Sequence, residues 1–172
     1  MQSAEILMLA AIFLEPQTLH VAHTMKPITI SVACDRNITC EFYGEDIRLK
    51  IQIKNTSGAT LGIPLEYIKK RGPHVQLTDI KTGNNRWLRV SLAPRVLREK
   101  YVFVGPDETV EISTLLSARE IRVFREHFVD LDVEVAIISK VKPENGDPID
   151  ISESHTFKIT GRDTEELEKT NR

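Results

Sequence analysis

A chain of 172 residues with 23 Lys and Arg against 25 Asp and Glu carries a formal charge of -2. That balance speaks against capture of nucleic acid by charge, which needs a cationic surplus facing the phosphates. A hydrophobic fraction of 41% and a charged fraction of 28% exclude a disordered or fibrous polymer and fit a globular domain with a sizeable core.

The run Ile6–Leu14 is apolar without interruption. It is too short to span a bilayer of about 30 Å, so no transmembrane span is expected. It has the length of the apolar region of a secretory signal, with Ala22 as the residue before the cut, although Glu5 stands where positive charge is usual. Residues 1–24 therefore read as a signal peptide, or alternatively as an N-terminal helix. A secreted or periplasmic location follows from the first reading and a cytoplasmic one from the second. Cys34 and Cys40 are the only cysteines. No second pair of ligands stands at zinc spacing, so a disulfide is expected between them, pinning a hairpin end. The triplets Asn37-Ile38-Thr39 and Asn55-Thr56-Ser57 have the form of N-glycosylation acceptors.

From Ile28 the period is two. Ile28, Ile30 and Val32 alternate with Thr29 and Ser31, and Ile47, Leu49, Ile51 and Ile53 alternate with Arg48, Lys50, Gln52 and Lys54. Successive side chains of a strand face opposite sides, so both segments predict half-buried strands. Leu61–Ile68 is apolar but holds Gly62 and Pro64, which predicts an edge or bulged strand. Lys69-Lys70-Arg71, the only short basic cluster, then reads as a solvated turn, with a local basic patch as the alternative. Val75 and Leu77 lead through the turn Lys81–Asn85 to Trp87, Leu88 and Val90, a hairpin in which Trp87 is expected in the core or covering an edge. Tyr101–Val104 and Thr109–Ser113 are short strands around the turn at Gly105–Glu108. Leu115–Phe128 predicts one short helix capped by Ser117, with Ile121, Phe124 and Phe128 on its apolar face.

Val129, Leu131, Val133, Val135 and Ile137 form the longest alternation, and Ala136 and Ile138 predict a central position for its second half. Asp130, Asp132 and Glu134 line its other face. They read as a solvated face able to pair with Arg48, Lys50 and Lys54, or less simply as a cation site. Asn145-Gly146 turns the chain into a last strand at Thr156–Thr160, and residues 163–172 form a charged tail.

Short strands at this spacing, with no βαβ rhythm, predict an all-β fold over residues 25–162. The specific expectation is an immunoglobulin-like antiparallel β-sandwich of seven to nine strands with one short helical insertion. Residues 28–138 resemble the immunoglobulin-like accessory domains of bacterial secreted proteins. The likeness is carried by Ile47–Asn55 running into Thr56-Ser57-Gly58, by Val75–Asp79 with Gly83, and by Val104–Val110. Similar patterns occur in the β-sandwich preceding the catalytic domain of deuterolysin-like metallopeptidases, and in small proteinase inhibitors of the same shape. The resemblance implies an accessory module, with any peptidase domain lying outside this chain.

His20, His23, His74, His127 and His155 form no His-Glu-x-x-His, no Gly-x-Ser-x-Gly is present, and the glycines build no phosphate loop. No catalytic, metal-ligating or cofactor-binding residue is therefore predicted. The expected function is a non-enzymatic extracytoplasmic binding module for a protein or peptide. Candidate surfaces are the edge at Gly62 and Pro64, the loop Lys81–Asn85 and the insertion Leu115–Phe128. A proteinase inhibitor of the same fold, and an enzyme built around His127 and carboxylates, are the alternatives.

Overall fold

The computed structural model describes residues 26–35, 40–124 and 128–162. The signal-like run, the triplet at Asn37, His20, His23, His127 and the tail lie outside them.

Ten strands form an all-β sandwich of two sheets. The first is three-stranded and antiparallel, in the order β1 (Ile28–Cys34), β3 (Ile47–Asn55), β8 (Thr109–Leu116). Its centre, β3, buries Ile47, Leu49, Ile51 and Ile53 on one face, as the alternation predicts. The second sheet is organised around β9 (Phe128–Pro143), a strand of 16 residues. On one side β9 pairs from Phe128 to Val141 with β10 (Ile149–Arg162). On the other it meets β5 (His74–Asp79) first and β4 (Leu61–Ile63) at its end. β6 (Asn85–Trp87) extends β5 as the expected hairpin, and β7 (Val102–Val104) extends β4. The short β2 (Glu41–Phe42) pairs with β10 in parallel. The inward residues Leu131, Val133, Val135 and Ile137 of β9 share one core with β3.

Several expectations change. Pro64 does not interrupt an edge strand; it stands at the N-cap of a helix, α1 (Leu65–Arg71). Proline is tolerated there because the first helical N–H groups have no intrahelical partner. Glu66 in the first turn and Lys69, Lys70 and Arg71 in the last complement the helix dipole, and Gly72, at φ 81°, ends it. The triplet read as a solvated turn is thus the last turn of α1. Gly62 lies on β4, which is paired on both sides, so no free edge exists there.

Trp87 is 52% exposed, on the outer face of the hairpin arm rather than in the core. Ile138 is also exposed, because β5 ends its pairing with β9 at Ala136. The helix predicted over Leu115–Phe128 contracts to α2 (Ala118–Arg122), capped by Ser117 and Glu120 in a reciprocal capping box. Leu115 and Leu116 belong to β8, and Phe128 opens β9.

Cys34 and Cys40 are joined, with Cα atoms 5.5 Å apart. The bond does not close a hairpin. Cys34 ends β1 in the first sheet, and Cys40 leads into β2 in the second, so the disulfide staples a crossing between the sheets.

Candidate functional site

The outer face of β9 changes character along its length. Asp130, Asp132 and Glu134 occupy the first half, beside Thr78 and Gln76 of β5 and Thr160, Lys158 and Thr156 of β10. Their expected partners are elsewhere: β3 lies in the other sheet, where Lys50 pairs with Asp35 at 2.6 Å and Lys54 with Asp107 at 2.7 Å. Among the described residues no group of three or more His, Cys, Asp and Glu is arranged to hold a metal ion.

Beyond Ala136 the same face enters a groove of about 400 Å³. One wall is Tyr67 and Arg71 of α1. A second is Arg95, Arg98 and Glu99 of a 3-10 helix spanning Arg95–Glu99, with Tyr101 after it. The floor is Ile138, Ser139 and Lys140 of β9, and Pro148 and Asp150 close the end at the β9–β10 turn. This volume is within the usual range for a ligand site, about 300–1,000 Å³.

Tyr67 organises the walls. It is buried, held by α1 over the core. Its hydroxyl accepts a hydrogen bond from an Arg71 guanidinium nitrogen at 2.9 Å. The Arg71 guanidinium carbon lies 5.9 Å from the Tyr67 ring centroid, and that of Arg98 lies 5.0 Å from it. Burial pushes the Tyr67 hydroxyl up, but the hydrogen bonds and charges of Arg71 and Arg98 outweigh it and lower the pKa below the ordinary tyrosine value.

Arg71 also lies 3.2 Å from Nε2 of His74. A guanidinium only donates, so Nε2 must accept, which needs the neutral ring. Partial burial and the Arg71 charge hold the His74 pKa below its usual value.

The groove is short of negative charge. Arg71 bonds to a hydroxyl and an imidazole, Arg98 stacks on a ring, and Arg95 has no hydrogen-bonding or ion-pair partner among the described residues. Among the described residues only Lys140 has a carboxylate, Asp150 at 3.2 Å. The wider segment explains this. Residues 65–100 hold nine of the chain's 23 Lys and Arg but only three of its 25 Asp and Glu. The net charge of -2 therefore hides a strongly basic segment, about a fifth of the chain, set against an acidic remainder.

None of the surfaces singled out in the sequence forms this site. The loop Lys81–Asn85 folds around Asp79, whose carboxylate accepts from the N–H groups of Lys81 and Thr82. The insertion at α2 belongs to other elements. His155 lies on β10 opposite Val135, away from the groove. Arg71 was read only as part of a solvated turn, and Arg95, Arg98 and the two tyrosines were missed because they are scattered in sequence. A windowed charge count over residues 65–100 would have found the arginines.

No family model matches the chain, and no curated protein matches it. Solved structures give distant likenesses. A structure assigned to the ApaA protein of Bordetella pertussis is 13% identical, with a TM-score of 0.39 over 77% of this chain and 94% of that one. The alkylpurine DNA glycosylase AlkC of Pseudomonas fluorescens, bound to DNA, is 13% identical, with a TM-score of 0.40 over 80% of this chain but 31% of that one. A β-glucosidase of Listeria innocua is 11% identical, with a TM-score of 0.38 over 78% of this chain and 16% of that one. Likenesses at this level carry no argument, and what the groove can bind is decided by its own side chains.

Proposed function

We propose that this chain is a non-enzymatic, extracytoplasmic binding module, and that its binding surface is the groove between α1, the 3-10 helix and the β9–β10 turn. The observation that carries this is the unneutralised charge inside one concavity. Arg71, Arg95, Arg98 and Lys140 line it, and among the described residues only Lys140 is paired with a carboxylate. Arg95, Arg98 and Lys140 are exposed and gathered on one concavity, where an anionic segment on a protein or peptide partner can reach them and make charge-assisted hydrogen bonds. Guanidinium forks suit the task, since they bind oxyanions in a bidentate manner. The extracytoplasmic part rests on the Cys34–Cys40 bond, which persists in oxidising compartments, and on the signal-like run Ile6–Leu14. Among the described residues no helix is long and apolar enough to cross a membrane.

Citrate titration followed by amide NMR tests the groove. Shifts should concentrate at residues 67–71, 95–101 and 138–140, and vanish in the Arg95→Glu/Arg98→Glu double variant. Shifts that survive the double reversal dispose of the site. Intact mass of the protein from its own host tests the location. A mass lacking residues 1–22, with thiols alkylated only after reduction, is expected; a full-length mass with two free thiols removes the extracytoplasmic reading.

One observation favours a second reading, a proteinase inhibitor. Residues 88–94 have no regular structure but are pinned at two points, where the Leu88 N–H donates to Val75 and the Ser91 N–H donates to Arg71. Leu92 stands 97% exposed on this strap. An inhibitor loop needs that combination of exposure and restraint. Inhibition of a protease in a serine, cysteine and metalloprotease panel, lost in Leu92→Asp, would support it. A panel with no inhibition removes it.

A further inference from the structure

We infer that the occupant of the groove is an acidic peptide segment and not a phosphate-bearing polyanion, and that Glu99 and Asp150 make this selection. The inference rests on the groove being the binding surface. Its argument is the mixture of charges in the lining. Beside the four cations stand two carboxylates, Glu99 on the 3-10 helix and Asp150 at the start of β10. Both are exposed, and Asp150 spends part of its charge on Lys140 at 3.2 Å.

A phosphodiester chain presents acceptors and negative charge along its backbone. It would set phosphates against Glu99 and Asp150 wherever it lay along the groove, a like-charge contact that costs binding. A peptide presents a backbone N–H donor at nearly every residue as well as acidic side chains. Its carboxylates suit Arg71, Arg95 and Arg98, and its N–H groups suit Glu99 and Asp150. The apolar parts of the lining, Tyr67, Tyr101, Ile138 and Pro148, offer packing for intervening side chains. The same opposition applies to an anionic membrane surface, whose headgroups are phosphates.

The test compares three probes on the full chain at one ionic strength. They are capped, fluorescein-labelled hexaglutamate, a fluorescein-labelled heptathymidylate with six phosphates, and vesicles containing phosphatidylglycerol. Hexaglutamate should bind at least about ten-fold more tightly than the oligonucleotide, a difference of about 1.4 kcal/mol. In Glu99→Gln/Asp150→Asn the oligonucleotide should gain about ten-fold and the peptide should not, so that the preference closes. In Arg95→Glu/Arg98→Glu, shown to be folded by circular dichroism, both should be lost.

Oligonucleotide or vesicles binding as tightly as the peptide would overturn the inference, as would a preference unchanged by Glu99→Gln/Asp150→Asn. Either result leaves the groove itself standing as an anion site. Absence of binding by every probe to the folded wild-type chain removes the groove and this inference together.

Discussion

In the three-stranded sheet, Ile47, Leu49, Ile51 and Ile53 are buried in strict alternation, and the outer lysines Lys50 and Lys54 each find an aspartate. Between Pro64 and Tyr101 the chain instead makes a two-turn helix, a hairpin arm, an exposed strap and a 3-10 helix, and its arginines go largely without carboxylates. The first region uses apolar rows for stability and neutralises its surface. The second hangs on few anchors, Leu65, Tyr67, Ile68, Val75 and Leu77 among them, and leaves its charged side chains available. Binding groups tend to be carried by such irregular segments on a regular scaffold.

Substitutions should separate the two regions, and the largest effect belongs to the sheet. Ile51→Ala, at a fully buried position of the central strand, should lower unfolding free energy by about 3–4 kcal/mol in urea denaturation. A loss under about 1 kcal/mol would mean that the core of the sandwich is not where the burial places it.

Asn55, at the end of β3, ties that sheet to the turn after β7, and Asn55→Ala should come next. The residue is fully buried. Its amide nitrogen donates to the carbonyls of Ala59, Val104 and Gly105 at 2.9, 2.9 and 3.0 Å, and its oxygen accepts from the Ser57 N–H at 2.9 Å. Removing it strands buried carbonyls, at a cost of about 2–3 kcal/mol by thermal or chemical denaturation. The same bonds leave no room for a glycan on this Asn-x-Ser triplet, so the folded chain should resist modification there.

Cys34→Ser/Cys40→Ser should cost about 2 kcal/mol, the chain-entropy value for so short a loop, without altering anion binding. Arg95→Glu/Arg98→Glu should do the reverse, changing stability by no more than about 1 kcal/mol, the worth of the Arg98 contact with Tyr67, while abolishing binding in the citrate titration. Should the arginine pair prove as costly as the disulfide, the contrast between scaffold and binding segment fails.

The smallest effect concerns pH. His74 is held neutral, with its pKa lowered by partial burial and by Arg71. The unfolded chain therefore takes up this proton first, and stability is lost as pH falls through the ordinary histidine value near 6.5 toward the lower folded value. Melting temperatures of wild type and His74→Gln should diverge only in that window. Parallel curves would show that the ring has no part in holding Arg71.

The alternating strands β1, β3, β5 and β9 were legible because burial on one face imposes a period of two that no other local structure mimics. The turns at Lys81–Asn85, Gly105–Glu108 and Asn145-Gly146, the Ser117 cap and the cysteine pair were legible for an equally local reason, since each depends on the chemistry of a few neighbouring residues. α1 was not, because two turns of helix around Leu65, Tyr67 and Ile68 have the same apolar look as a strand broken by proline. The exposure of Trp87 and Ile138 depended on which strand stops where, and the staple between the sheets depended on where the chain crosses.

The groove lay furthest out of reach. Tyr67, Arg71, Arg95, Arg98, Lys140 and Asp150 come from α1, the 3-10 helix, β9 and β10, and only the packing of those elements brings them together. Periodicity reports which face of a segment is buried, and local chemistry reports where it bends. Which distant side chains share a concavity depends on the register and order of the strands, set by contacts between residues far apart in the chain.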